Sequence, residues 1–161
     1  MKTLIPRYNS ARMVMDYLRG SYAPAAKQTR KLRAAQAAPA KELAAWKARV
    51  RERWPGVKLA MEGAPAESLH QGEQLPLEVT AQLNGLEPGD VVVECLLERN
   101  LPDGGSARVA YPLAPQGGAD GTVRYHLELQ PFAGLQHFGI RVRPAHAALS
   151  HPFELGLLTW L

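Results

Sequence analysis

Asp90-Val91-Val92-Val93-Glu94-Cys95-Leu96-Leu97-Glu98 is rich in β-branched and aliphatic residues, with acidic side chains recurring every four positions. As a strand it sends Val91, Val93, Cys95 and Leu97 to one face, because side chains alternate with a period of two. Asp90, Glu94 and Glu98 mark the outward register. Val92 and Leu96 share that outer face, so it is expected to be half covered. A segment of this kind is a central strand, with neighbours on both edges and a packed layer above it.

The neighbours lie on both sides in sequence. Upstream, Val57, Leu59 and Met61 alternate with Lys58, Ala60 and Glu62. A loop over residues 63–73 follows. Leu75, Leu77, Val79, Ala81 and Leu83 then alternate with Pro76, Glu78, Thr80 and Gln82, the cleanest half-buried pattern in the chain. Downstream, residues 102–105 read as a turn, residues 108–113 as a strand with Val109, Tyr111 and Leu113 inward, and residues 117–121 as another turn. Val123, Tyr125, Leu127 and Leu129, then Phe138, Ile140 and Val142, supply two more strands, and Phe153, Leu155, Leu157 and Trp160 a last one. About seven short strands with Gly/Pro turns predict an antiparallel, immunoglobulin-like β-sandwich. A small barrel is the competing architecture.

Before Gly56 the period is helical. Asn9 or Ser10 is a suitable N-cap for a helix whose stripe is Met13, Val14, Tyr17 and Leu18. Gly20 is read as its end and residues 21–24 as a connector. Residues 25–38 form a basic surface helix, with Leu32 its only large aliphatic residue. Pro39 restarts the pattern, and Leu43, Trp46, Val50 and Trp54 recur at i, i+3, i+7 and i+11 until Pro55-Gly56. The chain is therefore α+β, with a helical segment over residues 1–56 and a sandwich over residues 57–161. Charge follows the same division. Residues 1–56 hold thirteen Lys and Arg against three acids, a balance of +10; residues 57–161 hold six against twelve, a balance of −6. Two parts with different surfaces follow.

The 161 residues suffice for one domain with an appendage. The sequence has no apolar run long enough for a membrane span and no secretory core near its start. A single cysteine, Cys95, is read as a packed core thiol in a reducing, cytoplasmic setting. Its five histidines, His70, His126, His137, His146 and His151, stand at no zinc-ligand spacing, so no metal site is assigned. Phosphate loops, dinucleotide fingerprints and nucleophile elbows are absent from the sequence. Gly104-Gly105 and Gly117-Gly118 are assigned to hairpin turns. Glu94 and Glu98, about 13 Å apart on a strand, cannot share a proton and are read as a solvated face. The basic segment over residues 27–33 lacks interleaved aromatics, so nucleic acid is not its expected partner. Tyr111, Tyr125 and Trp160 could make a sugar platform, but both tyrosines fall in the inward register. No residue is assigned to catalysis or to cofactor binding.

Two stretches carry a resemblance. Tyr8-Asn9-Ser10-Ala11-Arg12-Met13-Val14, with Asp16-Tyr17 and Tyr22-Ala23-Pro24-Ala25, resembles the end of the catalytic region in α-glucan (glycogen/maltodextrin) phosphorylases of glycosyltransferase family 35. His151-Pro152-Phe153-Glu154-Leu155-Gly156-Leu157-Leu158-Thr159-Trp160-Leu161 resembles the closing residues of a bacterial subgroup with an extra C-terminal domain. Residues 46–55 and 90–97 are similar to that subgroup as well. The resemblance implies carbohydrate metabolism: phosphorolysis of α-1,4-glucan to glucose 1-phosphate, using pyridoxal phosphate held on a lysine. That lysine belongs to a Gly-Thr-x-Asn-Met-Lys-like motif, which Met1-Lys2-Thr3 does not reproduce, so Lys2 is not equated with it. On this resemblance the chain is the tail of such an enzyme and inactive alone, a non-catalytic module with a structural or interaction role. Its implied partner is the remainder of the catalytic domain, or a second copy of itself, through the helical segment. The alternatives are an independent glucan-binding sandwich, with an α-glucan as ligand, and a protein-interaction module docking through its basic helices.

Overall fold

The computed structural model describes residues 9–63, 70, 72–100, 105–119, 121–130 and 136–161. It comprises two compact units, Met1–Trp46 and Lys47–Leu161.

In the first unit, helix α1 spans Ser10–Tyr17. Asn9 caps it, its Oδ1 accepting the Arg12 backbone N–H at 2.7 Å. Gly20 does not end the helix and residues 21–24 are not a connector. The backbone runs through a π-turn at Leu18–Tyr22, closed by the Ala23 N–H on the Leu18 carbonyl, into helix α2, Ala23–Arg53. The reason lies in Pro24, which has no N–H for the carbonyl four residues back, a defect the wider π-turn absorbs. The real interruption comes later. Ala34 is extended (ψ 155°), and Ala35, Gln36 and Ala37 adopt left-handed φ values of 48°, 55° and 63°. Pro39 stands just beyond this break, in the first turn of the restarted helix. The stripe Leu43, Trp46, Val50 and Trp54 is buried throughout its length. A 3-10 turn, Trp54–Gly56, ends the helix.

The second unit holds two four-stranded antiparallel sheets. Strands are β1 (Lys58–Met61), β2 (Leu75–Gln82), β3 (Val91–Asn100), β4 (Ser106–Pro112), β5 (Ala114–Ala119), β6 (Thr122–Leu129), β7 (Gln136–Pro144) and β8 (Thr159–Trp160). The sheet orders are β1-β2-β6-β5 and β4-β3-β7-β8. The expected central strand is central: β3 pairs with β4 on one edge and β7 on the other. Its alternation holds, with Val91, Val93, Cys95 and Leu97 all buried. Val93 stands opposite Val142, and Cys95 opposite Ile140. Across the sandwich, Leu77, Val79 and Ala81 of β2 and Tyr125 and Leu129 of β6 complete the core.

Among the described residues eight strands form where about seven were expected. Residues 114–119 pair with β6, so Gly117-Gly118 belongs to a strand and not to a hairpin turn. A Cβ at Gly118 would overlap the Thr122 carbonyl oxygen, which explains glycine there without a turn. The chain's end is less regular than expected. Residues 151–155 form turns, and β8 is only two residues long. Val109 keeps its expected register opposite Leu97 but is 40% exposed, because β4 is an edge strand. Gly104 and most of the turn expected at residues 102–105 lie outside the described residues, as do Lys2 and Tyr8.

Candidate functional site

The outer face of the second sheet carries ion pairs between neighbouring strands. Glu94 stands opposite Arg141 across the β3–β7 ladder. It is not solvated: its side chain is 6% exposed. Glu94 Oε1 accepts Arg141 Nε at 2.7 Å and Nη2 at 2.6 Å, and Arg143 Nε at 3.3 Å. The two guanidiniums carry aromatic rings on their other sides. Arg141 lies 4.9 Å from the Phe153 ring centre and 5.5 Å from that of Trp160, and Arg143 lies 5.9 Å from Phe153. A carboxylate, two arginines and two aromatics thus form one layered group, a pattern invisible while β3 is read alone. The detectable signal was the matching period of Arg141 and Arg143 in β7.

Helix α2 is fastened near this face within the second unit. Arg49 Nη2 donates to both oxygens of buried Asp90, at 2.9 and 3.1 Å. Asp90 Oδ2 also accepts the Glu87 backbone N–H at 3.0 Å, closing a capping box around the 3-10 turn Pro88–Asp90. Lys47 pairs with Glu154, whose Oε2 accepts the Ser150 N–H at 2.7 Å. The Lys47 hydrogen bond holds the Glu154 carboxyl below the usual range. Asn84 Nδ2 donates to the Arg53 carbonyl at 2.7 Å and so caps the helix end. Glu98 pairs with Arg108 of β4 at 2.8 Å, and that hydrogen bond lowers its pKa.

The other residues singled out in the sequence are dispersed. His126 lies between Glu78 (3.8 Å) and Glu128 (3.9 Å) on the first sheet, while His70 and His137 are exposed. Among the described residues no three His, Cys, Asp or Glu side chains are grouped as metal ligands. Burial pushes the Cys95 thiol up to about 11 and the Tyr125 phenol up to about 12. Tyr125 is buried and Tyr111 half-buried, whereas Trp160 is 52% exposed, so the three do not form one platform. Two cavities, of about 370 and 540 Å³, open on the second unit, and no lysine lines either. A pyridoxal phosphate aldimine needs such a lysine, so neither cavity fits that cofactor. No helix among the described residues is long and apolar enough to cross a membrane.

Residues 54–161, the sandwich with the last turn of its helix, match the family described as "Glycogen phosphorylase C-terminal domain". The chain belongs to that family. Its family relatives are much longer proteins. Over 99% of its length the chain is 37% identical to a glycogen phosphorylase of Mycobacterium tuberculosis (strain ATCC 25618 / H37Rv), of which it covers 19%. It is 28% identical to a maltodextrin phosphorylase of Thermococcus litoralis, with the same coverage of both chains. No solved structure matches the chain.

Proposed function

We propose that this chain is a non-catalytic module of an α-glucan phosphorylase, serving as a structural and interaction element for the rest of the enzyme. The observation that carries the reading is the coverage: nearly all of the chain corresponds to only 19% of two phosphorylases. Its chemistry agrees. Asp90, Glu94, Glu98 and Glu154, the acids described on and around the second sheet, are each held by a basic partner. Such pairs fix structure rather than leave an acid or base poised for proton transfer. The strand order, β1-β2-β6-β5 in one antiparallel sheet and β4-β3-β7-β8 in the other, supports an immunoglobulin-like sandwich. Met13, Val14, Tyr17, Leu18 and Tyr22 are each about half exposed or more. A strip of that kind suits docking on the remainder of the phosphorylase.

On this reading the chain alone converts no glucan and takes up no pyridoxal phosphate. The test is to incubate the purified chain with glycogen and inorganic phosphate, and to record its absorbance after exposure to the cofactor. Phosphate-dependent release of glucose 1-phosphate, or a lysine aldimine band, would defeat the proposal.

A further inference from the structure

The segment that follows β7 folds over the start of β3 and borders an open cleft of about 370 Å³, which the docking role leaves unused. We propose that this cavity is a binding site for a small oxyanion of the phosphate class. Its polar lining is Arg143, His146, Ser150 and His151, its apolar lining includes Val92 and Leu149, and no carboxylate lines it.

Two independent features point to an anion. The first is charge. Arg141 and Arg143 share the single buried carboxylate of Glu94, so the trio carries a net charge of +1. Arg141 contacts that carboxylate through two nitrogens and turns its face to Phe153 and Trp160. Arg143 makes the single longer contact and is the member that lines the cavity. The excess positive charge therefore sits at the cavity wall, where an anion would balance it.

The second feature is the state of the imidazoles. His151 Nδ1 accepts the Phe153 backbone N–H at 3.1 Å, and His146 Nδ1 accepts the Ala148 N–H at 3.1 Å. A ring nitrogen that accepts a hydrogen bond carries no proton, which leaves Nε2 as the donor of His151. The turn at His151 thus presents its Nε2–H as the donor on which the site relies. A planar guanidinium beside N–H donors is the usual apparatus for a tetrahedral oxyanion. The volume exceeds that of a bare phosphate, so a small ester fits as well as the free ion.

The experiment titrates the whole chain separately with inorganic phosphate and with a hexose phosphate, by calorimetry and by the side-chain nitrogen resonances of His151. His151→Asn places an amide oxygen where Nδ1 accepts the Phe153 N–H, preserving the turn and removing the Nε2 donor. Arg143→Gln retains a donor for Glu94 and removes the charge. The expected result is a dissociation constant of about 1 mM or tighter, with a shift of His151 Nε2. Each variant should weaken binding by about tenfold or more. Tighter binding of the ester assigns a phosphorylated metabolite, and equal binding assigns the free ion. Should Arg143→Gln fail to fold, His151→Asn still decides. Silence from both probes at about 30 mM overturns the site, as does binding that His151→Asn leaves unchanged.

Discussion

At the scale of single residues, Glu94 is the side chain whose loss should cost most. Its carboxylate is nearly inaccessible and faces two guanidiniums that are themselves 15% and 18% exposed. Glu94→Gln removes the negative charge and leaves both cations partly buried without it. We expect a loss of about 3 kcal/mol in urea unfolding, the range seen when one member of a buried ion pair is deleted. A change under about 1 kcal/mol would mean that water reaches the arginines. Cys95 and Tyr125 govern the alkaline side. Their folded pKa values, about 11 and about 12, lie above the ordinary 9.0 and 10.0. Both groups thus hold their protons more tightly when folded, so stability is fully retained below pH 9 and falls as pH rises through 9 to 12. Equilibrium unfolding across that window should show the decline, and Cys95 should resist thiol reagents until the domain opens. The core register of Cys95 was legible because alternation along one strand reveals which side chains are inward. The burial of Glu94 was not, because its partners come from β7, some fifty residues away, and only strand pairing brings them together.

At the scale of elements, strands with regular alternation were read correctly, the edge strands β1 and β4 included, whereas the edge strand β5 was not. β2 shows the strongest pattern and places Leu75, Leu77, Val79 and Ala81 in the core as expected. β5, with the sequence Ala-Pro-Gln-Gly-Gly-Ala, has no apolar alternation because it lies at a sheet edge. Its strand character comes from pairing with β6, which a pattern of burial cannot report. Gly118→Ala should disrupt that pairing, and loss of β5–β6 amide protection with the core intact would show it. Helix α2 offers the opposite test. Ala37 is held at a φ of 63°, a conformation that costs an L-residue roughly 1 kcal/mol and glycine almost nothing. Ala37→Gly should therefore raise helical content near the break, or leave it unchanged, whereas glycine in a regular helix interior would lower it by a similar energy. A marked loss of helicity by circular dichroism would place residue 37 in ordinary helix.

At the scale of the molecule, stability should be unevenly distributed. Every residue from 9 to 27 is exposed, including the apolar strip on α1, whereas β3 runs through the core. Each large apolar side chain left in water forgoes roughly 1.5–3 kcal/mol of burial, so that strip gains from any surface able to cover it. Hydrogen exchange should find residues 13–18 poorly protected beside residues 91–97, or should find their protection rising with protein concentration as chains associate. A strict monomer with equal protection in both stretches would contradict this. The basic helical third and the acidic remainder were legible from charge alone, while the π-turn and the break at Ala34–Ala37 were not, since backbone dihedrals leave little trace in composition. The chain's last residues have a separate consequence. β8 meets β7 only at Arg141 and Val142, and the Leu161 N–H adds one bond to the Ile140 carbonyl at 3.0 Å. Among the described residues, the three at 159–161 pair with β7 along this rim and guard it against strand addition. Removing residues 159–161 would bare the rim, and two shortened molecules would then join edge to edge through β7, sharing one sheet between them.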